Sequence, residues 1–320
     1  MLSLFDTDPA GHVPHAIHAA DRAYPETNCY ADILIELMHL RGDEPLAALG
    51  QSIRTDFEGD QWTFFKPDPR DHEALFGMEI HEMQPYRALP DLAVRQLEVG
   101  RTLIVELDSF YLPDTESTAY RTEHVKSSAV IVGIDQGGER LRYLHNRGLY
   151  ELSGEDYRHV LRLEPLPVEA LPPYTELVRF DVGQRLAGDD LRRAAREIFV
   201  RHFDRRPATN PFRSFGDSLS AELPSLRAGT HADYHAYAFA TVRMAGSAFE
   251  LCASHIDWLY GDDAAHVCSA LHEIVGGTKA LSFKLARRRE FDSAPIIEQM
   301  AASWDEAMLG LAAVSDAARD

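Results

Sequence analysis

The sequence predicts an α+β protein, in which a region combining helices with an antiparallel sheet is followed by an all-helical region. Three observations predict this class. Apolar residues recur at helical spacing after Cys29, short β-prone segments follow one another between residues 102 and 182, and strand signals stop after Val182. A chain of 320 residues is long enough for two domains. We therefore expect an α+β domain over residues 1–182 and a helical domain over residues 183–320.

The first helix is predicted to begin at Cys29. Its apolar positions recur at helical spacing: Ile33, Leu34, Leu37, Met38 and Leu40. Thr27 or Asn28 can cap this helix, and Arg41 followed by Gly42 is a typical C-terminal signal. A thiol in the first turn lies where the helix dipole favours the thiolate, so Cys29 is a candidate nucleophile. A buried, inert cysteine is the alternative interpretation.

The elements around this helix are short until residue 100. Residues 1–26 are polar and rich in turn residues, and we expect them to wrap the surface as an arm. After the first helix, the pattern predicts helices near 44–50, 67–76 and 90–99 and strands at 61–66 and 78–83.

The main sheet is predicted from residue 102 onward. Strands are expected at 102–108, 125–134, 140–144 and 174–182, with a helix at 154–161. The turn Asp135-Gln136-Gly137-Gly138 is a strong hairpin signal. His124 therefore stands at the start of one strand, and Asn146 follows the end of its partner strand.

These side chains suggest a catalytic constellation. A nucleophilic cysteine needs a base to remove its proton, and the base needs a partner that orients it. His124 is the candidate base, and either Asn146 or Asp135 is the candidate orienting residue. An early cysteine followed by a histidine and then Asn or Asp on a later sheet is the chain order of papain-like folds.

Several segments carry a resemblance to a known family: Asn28-Cys29, 56–60, 105–113 and 123–126. Through them, most of the chain resembles a bacterial family catalogued as domain of unknown function 1839. More remotely, residues 25–180 are similar to the N-terminal domain of the butirosin-biosynthesis BtrH-type acyltransferases, and through these to double-glycine peptidases. The resemblance implies a papain-like N-terminal domain whose cysteine moves an acyl group from a carrier-protein thioester to an amine.

The resemblance also implies partners. Members of the closer family are often encoded beside amino acid:carrier-protein ligases, which suggests an aminoacyl group on an acyl carrier protein as donor and a small amine as acceptor. The phosphopantetheine arm of the carrier would then be part of the substrate, and no cofactor or metal is expected. Asn28, Asp108 and Tyr111 are the candidate substrate-binding residues. For Asp108, a carboxylate bonded by loop N–H groups is the alternative.

This sequence departs from the remoter relatives at two points. No Gln precedes Cys29 as an oxyanion donor, so Asn28 or the Cys29 backbone N–H would have to serve. The relatives also place their histidine nearer the Gly-x-Asp triplet that ends its strand. Here that triplet is 133–135, and Ser127 occupies roughly the expected place.

Composition narrows the function further. The chain is 45% hydrophobic and 26% charged, which is typical of globular proteins, and its net charge of -19 argues against broad nucleic-acid binding. It shows no membrane span, signal pattern or disulfide framework, which predicts a cytoplasmic protein. The main hypothesis is a cysteine acyltransferase, and the alternatives are a cysteine hydrolase and a non-catalytic binding module for an acylated carrier.

Apolar stripes predict four helices in the second region, at 189–203, 231–260, 263–289 and 293–318. The helices at 231–260 and 263–289 offer a face for a homodimer.

Overall fold

The computed structural model describes residues 1–164 and 172–317, so the last residue of the helix predicted at 293–318 lies outside the described part. The strands and helices follow in this chain order: β1 (Leu2–Ser3), α1 (Cys29–Arg41), β2 (Phe57–Glu58), β3 (Gln61–Trp62), α2 (Pro69–Phe76), β4 (Glu79–Met83), α3 (Leu89–Leu97), β5 (Thr102–Asp108), β6 (Lys126–Asp135), β7 (Arg140–His145), β8 (Gly148–Ser153), α4 (Glu155–Val160), β9 (Thr175–Arg179), α5 (Gly188–Phe203), α6 (Pro211–Ala228), α7 (His231–Ala238), α8 (Met244–Tyr260), α9 (Ala265–Ala286) and α10 (Ala294–Ala317). The expected sheet-containing N-terminal region and helical C-terminal region are confirmed.

The chain divides into two units. The first unit contains residues 1–18, 28–45 and 69–186, and the second contains 19–27, 46–68 and 187–320. The helical unit therefore takes in two segments that the sequence pattern had assigned to the α+β domain. One reason is the hairpin of β2 and β3, where Phe57 and Trp62 pack against Phe215 of α6. The other is Glu250 of α8, whose carboxylate accepts the backbone N–H groups of Ala23 and Tyr24.

The first unit is built on an antiparallel sheet. Its strand order is β4-β9-β5-β6-β7-β8, and β1 adds to β6. The hairpin predicted at residues 135–138 is present, since β6 ends at Asp135 and β7 begins at Arg140. Strand β8, which had not been predicted, returns antiparallel to β7 after the two-residue turn Asn146-Arg147.

The two faces of this sheet have different partners. Leu103, Val105 and Leu107 of β5 point into a core that also takes residues of α3 and α4, and we refer to this side as the core face. The alternate residues point to the other side because side chains alternate along a strand. Helix α1 packs on that other side, against β6 and β7, and we refer to it as the α1 face.

The second unit contains α5 to α10 together with its two inserted segments. The helix predicted at 231–260 is divided, because a π-helical turn at Phe239–Arg243 separates α7 from α8. Cys252 is fully buried in α8 and Cys268 is buried in α9. Burial raises the pKa of the Cys252 thiol to about 12 and that of Cys268 to about 11. Both thiols are therefore poor nucleophiles at neutral pH.

Candidate active site

Cys29 is the first residue of α1, as the sequence predicted. The Asn28 side chain accepts a hydrogen bond of 2.9 Å from the Ala31 N–H and caps the helix, and Gly42 ends it in the left-handed conformation. Asn28 is itself buried, whereas Cys29 is half-buried. Cys29 thus lies in the capped first turn of α1.

The start of α1 is fixed to the sheet through the residue next to Cys29. The Tyr30 hydroxyl donates a 2.7 Å hydrogen bond to Glu176 of β9, and the Tyr174 hydroxyl donates one of 2.8 Å to the other oxygen of the same carboxylate. Burial, followed by the charge of Glu176, raises the pKa of the Tyr30 phenol, which keeps it a proton donor. Because Leu177 packs against the core, Glu176 points to the α1 face.

His124 forms a pair with Asp108. Its Nδ1 lies 2.7 Å from the Asp108 Oδ2, and its ring stacks on Phe110 with centroids 4.3 Å apart. Asp108 also accepts the Phe110 N–H at 3.1 Å, so the carboxylate is held by the turn that follows β5. The pair is open to solvent, with the His124 side chain 65% exposed and that of Asp108 35% exposed. Asp108, expected to bind a substrate amine, therefore has the position of the orienting residue.

The two residues expected to orient His124 lie elsewhere. Asp135 is at the opposite end of β6, a strand of 10 residues that spans about 30 Å at roughly 3.3 Å per residue. There it accepts the Gly138 N–H and pairs with Arg140, which lowers the pKa of its carboxyl. Asn146 forms the turn after β7 with a φ of 47°, and its neighbour His145 stands opposite Ala129, five residues along β6 from His124. The structure brings neither side chain to His124.

Tyr111, a candidate substrate-binding residue, lies beside the imidazole of His124. Their ring centroids are 6.2 Å apart in an edge-on arrangement, and the Tyr111 ring also stacks on His159 at 4.8 Å. The guanidinium of Arg121 lies 5.5 Å from the centroid of the Tyr111 ring. His124 thus contacts the rings of Phe110 and Tyr111, and the rest of its side chain is open to solvent.

A cleft of about 690 Å³ opens beside this pair, at the end of the sheet where β4 and β5 finish and β6 and β9 begin. Its lining combines three carboxylates with three basic side chains and with apolar surface: Glu82, Met83, Gln84, Pro85, Glu106, Leu107, Asp108, His124, Val125, Lys126, Arg162, Pro172, Pro173 and Tyr174. Such a volume is in the range of small-molecule sites. Asp108 and His124 line it, and Cys29 does not.

Cys29 and His124 both belong to the first unit. Glu176, which holds Tyr30, stands opposite Ile104, and Asp108 is four residues further along β5, or about 13 Å. His124 is hydrogen-bonded to Asp108, and within the described residues no hydrogen bond joins it to Cys29. The structure therefore places the predicted nucleophile and the predicted base in the same unit and does not pair them.

Sequence reasoning missed a buried cluster that ties the N-terminal segment to α1. Nδ1 of His18 lies 2.5 Å from Glu36 and its Nε2 lies 3.4 Å from Asp32, while His12 lies 3.0 Å from the second Glu36 oxygen. The signal was present: histidines recur every three residues at 12, 15 and 18, and Asp32 and Glu36 lie one turn apart on an otherwise apolar helix. The N-terminal arm is anchored, not merely wrapped over the surface.

The charges in this cluster stabilise one another. Burial by itself lowers the pKa of His18, but hydrogen bonds and charges from Asp32 and Glu36 outweigh it and raise that pKa to about 9. Burial likewise favours the neutral form of Glu36, but His12 and His18 hold its pKa at about 2. The cluster therefore contains a buried ion pair at neutral pH.

Metal clusters and membrane-spanning helices are both absent from residues 1–164 and 172–317. No group of three or more His, Cys, Asp or Glu side chains there is arranged to hold a metal ion. In the same part of the chain, no helix is long and apolar enough to cross a membrane.

Comparison with known families places this chain. The model of the DUF1839 N-terminal domain matches residues 13–180, and that of the DUF1839 C-terminal domain matches residues 188–313. A search of curated proteins found no match. The two matches end and begin close to Ala187, where the second unit resumes. Because the two models together cover most of the chain, this protein belongs to the DUF1839 family.

Proposed function

We propose that this protein is a cysteine-dependent acyltransferase, with Cys29 as nucleophile and His124 as base. The observation that carries the proposal is the Asp108–His124 pair, which lines a cleft in the unit that also contains the start of α1. A half-buried thiol at a capped helix N-terminus and an oriented imidazole are the two groups that such chemistry needs.

The tautomer of His124 follows from its partner. An ionised carboxylate only accepts hydrogen bonds, so Nδ1 carries the proton that is shared with Asp108 and Nε2 keeps its lone pair. Nε2 is therefore the atom that takes the Cys29 proton. The proposal requires the thiol and the imidazole to meet when the acyl donor is bound, since catalytic hydrogen bonds often tighten only in the substrate complex.

The proposed reaction has two steps. The Cys29 thiolate attacks the carbonyl carbon of the donor thioester, a Cys29 thioester forms, and the donor thiol leaves with the proton from His124. A primary amine then attacks the Cys29 thioester, an amide forms, and the Cys29 sulfur is released as thiolate while His124 takes the amine proton. The N–H groups at the start of α1 would stabilise the oxyanion in both steps.

The partners in this proposal come from the family resemblance. The donor would be an aminoacyl group on the phosphopantetheine arm of an acyl carrier protein, the acceptor a small amine, and no cofactor would be required. A free catalytic thiol suits a reducing compartment such as the cytoplasm. We also expect a homodimer formed through the helices of the second unit.

The first test uses a donor that needs no cognate carrier. The full chain is incubated with glycyl-pantetheine thioester and its intact mass is measured, with Cys29→Ala in parallel. We expect a gain of one glycyl group that is absent from Cys29→Ala and that is discharged by added ethanolamine. Absence of the adduct from the folded wild type, with the thioester still bound, would favour the binding module. Discharge by water at the same rate with and without amine would favour the hydrolase.

The second test concerns the base. Iodoacetamide should alkylate Cys29 faster than free cysteine at about pH 6.5, and Cys252 and Cys268 in the same chain serve as buried controls. His124→Ala should lower the rate of acyl-enzyme formation about 100-fold or more. His81→Ala is the matched control, because His81 is similarly exposed, pairs with Glu79 at 2.8 Å and lies outside the cleft lining. Equal rates in the two variants would exclude His124 as the base.

A further inference from the structure

His145 and Asp114 form another histidine–aspartate pair within the first unit, separate from the Asp108–His124 pair. Nδ1 of His145 lies 2.5 Å from the Asp114 Oδ2, and the hydroxyl of Tyr143 donates a 2.5 Å hydrogen bond to the other oxygen of Asp114. On the opposite edge of the imidazole, Nε2 of His145 lies 2.6 Å from the Ser127 hydroxyl oxygen. Serine, histidine and aspartate thus form a continuous hydrogen-bonded chain.

Three different parts of the fold bring these residues together. His145 ends β7 and stands opposite Ala129 of β6, so Ser127, two residues from Ala129, points to the same side of the sheet. That side is the core face, because Ala129 belongs to the core shared with α3 and α4. Asp114 comes from the short turn Pro113–Thr115 that follows β5. Ser127, His145 and Asp114 are therefore brought together by tertiary structure, and no local sequence motif contains all three.

The proton positions follow from the donors. The Asp114 carboxylate accepts from both Tyr143 and His145, so Nδ1 of His145 is the protonated nitrogen. Nε2 is then an acceptor, and the Ser127 hydroxyl donates to it. This is the tautomer in which an imidazole removes a proton from a serine while a carboxylate holds the ring.

Burial differs along this chain of residues. The side chains of His145 and Asp114 are 2% and 4% exposed, whereas Ser127 is only half-buried. Two neighbours of Ser127 line the cleft: Lys126, which precedes it in the chain, and Leu107, which is its cross-strand partner. Of these three residues, Ser127 is therefore the one nearest to solvent.

We propose that Ser127, His145 and Asp114 form a second nucleophilic site, with Ser127 as nucleophile toward carboxylic esters or thioesters. The Ser127 oxygen attacks the carbonyl carbon while its proton passes to Nε2 of His145. The ester or thioester bond breaks, the alcohol or thiol leaves with that proton, and a Ser127 ester remains. Water then attacks this ester, gives its proton to His145, and the acid is released as the Ser127 hydroxyl re-forms. The site does not depend on the proposed role of Cys29.

A fluorophosphonate probe tests this site, because it reacts with serines that an adjacent base activates. The Ser127 oxygen forms the bond to phosphorus, fluoride leaves, and the proton passes to His145. We expect the label on the peptide that contains Ser127 and its loss in Ser127→Ala. Asp114→Asn should lower the labelling rate about 100-fold or more, because the imidazole loses the partner that sets its tautomer.

The matched control is Ser128→Ala. Ser128 is the next residue of the same strand, is buried, and points to the α1 face, so its loss should leave the labelling unchanged. Cys29→Ala should also label at the wild-type rate, which keeps the two proposals separable. An unlabelled Ser127 in the folded wild type, or an Asp114→Asn variant that folds and labels at the wild-type rate, would overturn the inference.

A second variant covers the case in which Asp114→Asn does not fold. His145→Gln keeps a polar side chain at this position but cannot take the serine proton, so the labelling rate should fall about 100-fold or more. A folded His145→Gln variant that labels at the wild-type rate would show that the imidazole does not activate the serine, and would equally overturn the proposal.

Discussion

The Asp108–His124 pair and the Asp114–His145 pair, both in the first unit, differ mainly in burial. Asp108 and His124 approach to 2.7 Å and Asp114 and His145 to 2.5 Å, so their hydrogen bonds are alike. Yet the His124 side chain is 65% exposed and that of His145 is 2% exposed. The Asp108–His124 pair is therefore accessible to a ligand, whereas the Asp114–His145 pair is fixed by hydrogen bonds to Tyr143 and Ser127.

The difference in burial sets how many partners the protein must supply. A buried polar group without a partner is costly, and in the buried pair Asp114 has two donors and both ring nitrogens of His145 are bonded. The exposed pair is open to solvent, and around His124 the protein supplies only the Asp108 carboxylate and the stacked ring of Phe110, with Tyr111 edge-on. The same two residue types thus form a fixed, fully hydrogen-bonded pair at Asp114 and His145 and a solvent-exposed pair at Asp108 and His124.

The largest expected effect is on the buried pair. Asp114→Ala leaves the His145 Nδ1–H and the Tyr143 hydroxyl without their acceptor in the core, which should lower the free energy of unfolding by about 3–5 kcal/mol. Urea denaturation monitored by circular dichroism measures this change. A loss below about 1 kcal/mol would mean that water reaches the pair and that the contrast in burial has no energetic consequence.

The His18 cluster extends the comparison to a buried pair whose charge changes with pH. The folded pKa of His18, about 9, lies above its ordinary 6.5, so this contribution is complete below pH 6.5 and is lost as the pH rises toward 9. A shift of this size corresponds to about 3 kcal/mol. We expect the free energy of unfolding to fall by this amount over that range in the wild type.

His18→Gln should remove most of this decline, and His81→Gln, which changes an exposed histidine, should retain it. Glu36 acts in the opposite direction: its pKa of about 2 lies below the ordinary 4.5, so its contribution is complete above pH 4.5 and is lost as the pH falls toward 2. The cluster should therefore stabilise the fold most between these two ranges. An unchanged alkaline decline in His18→Gln would assign it to other groups.

The smallest expected effect on stability is at the exposed pair. Asp108→Ala should change the free energy of unfolding by less than about 1 kcal/mol, because solvent screens the ion pair and hydrates both groups after the substitution. Urea denaturation beside Asp114→Ala makes the comparison direct. A loss similar to that of Asp114→Ala would show that Asp108 is structural, and would weaken the assignment of His124 as an adjustable base.

The parts of the fold that were predicted rest on local signals. The bounds of α1, from Cys29 to Arg41, follow from a cap, apolar spacing and a C-terminal glycine, all within one helix. The turn between β6 and β7 follows from two adjacent glycines. The sequence pattern assigned segments 19–27 and 46–68 to the α+β domain, whereas the structure includes them in the helical unit. Their partners, Glu250 and the aromatic residues of α6 and α8, lie far along the chain and give no local signal.

In the candidate site, too, some residues were identified from local signals and one was not. Cys29 and His124 were identified from residue type and position, but the partner of His124 was expected to be Asn146 or Asp135 and is Asp108. Asp108 precedes His124 by 16 residues and stands next to it only because β5 and β6 pair with Asp108 opposite Lys126. Chain order alone could not show which of several carboxylates the strand register would place beside the imidazole.

The amino-acid sequence is enough to predict the division into a sheet-containing and a helical region, the capped helix that begins at Cys29, and membership of the DUF1839 family. Three features could be seen only in the folded structure: the pairing of His124 with Asp108, the hydrogen-bonded chain of Ser127, His145 and Asp114, and the burial of His18 against Glu36. The two groups differ because the interactions behind them act over different distances along the chain. Caps, turns and apolar periodicity act between residues a few positions apart, whereas a hydrogen-bonded site depends on strand register and burial, which the whole unit sets together.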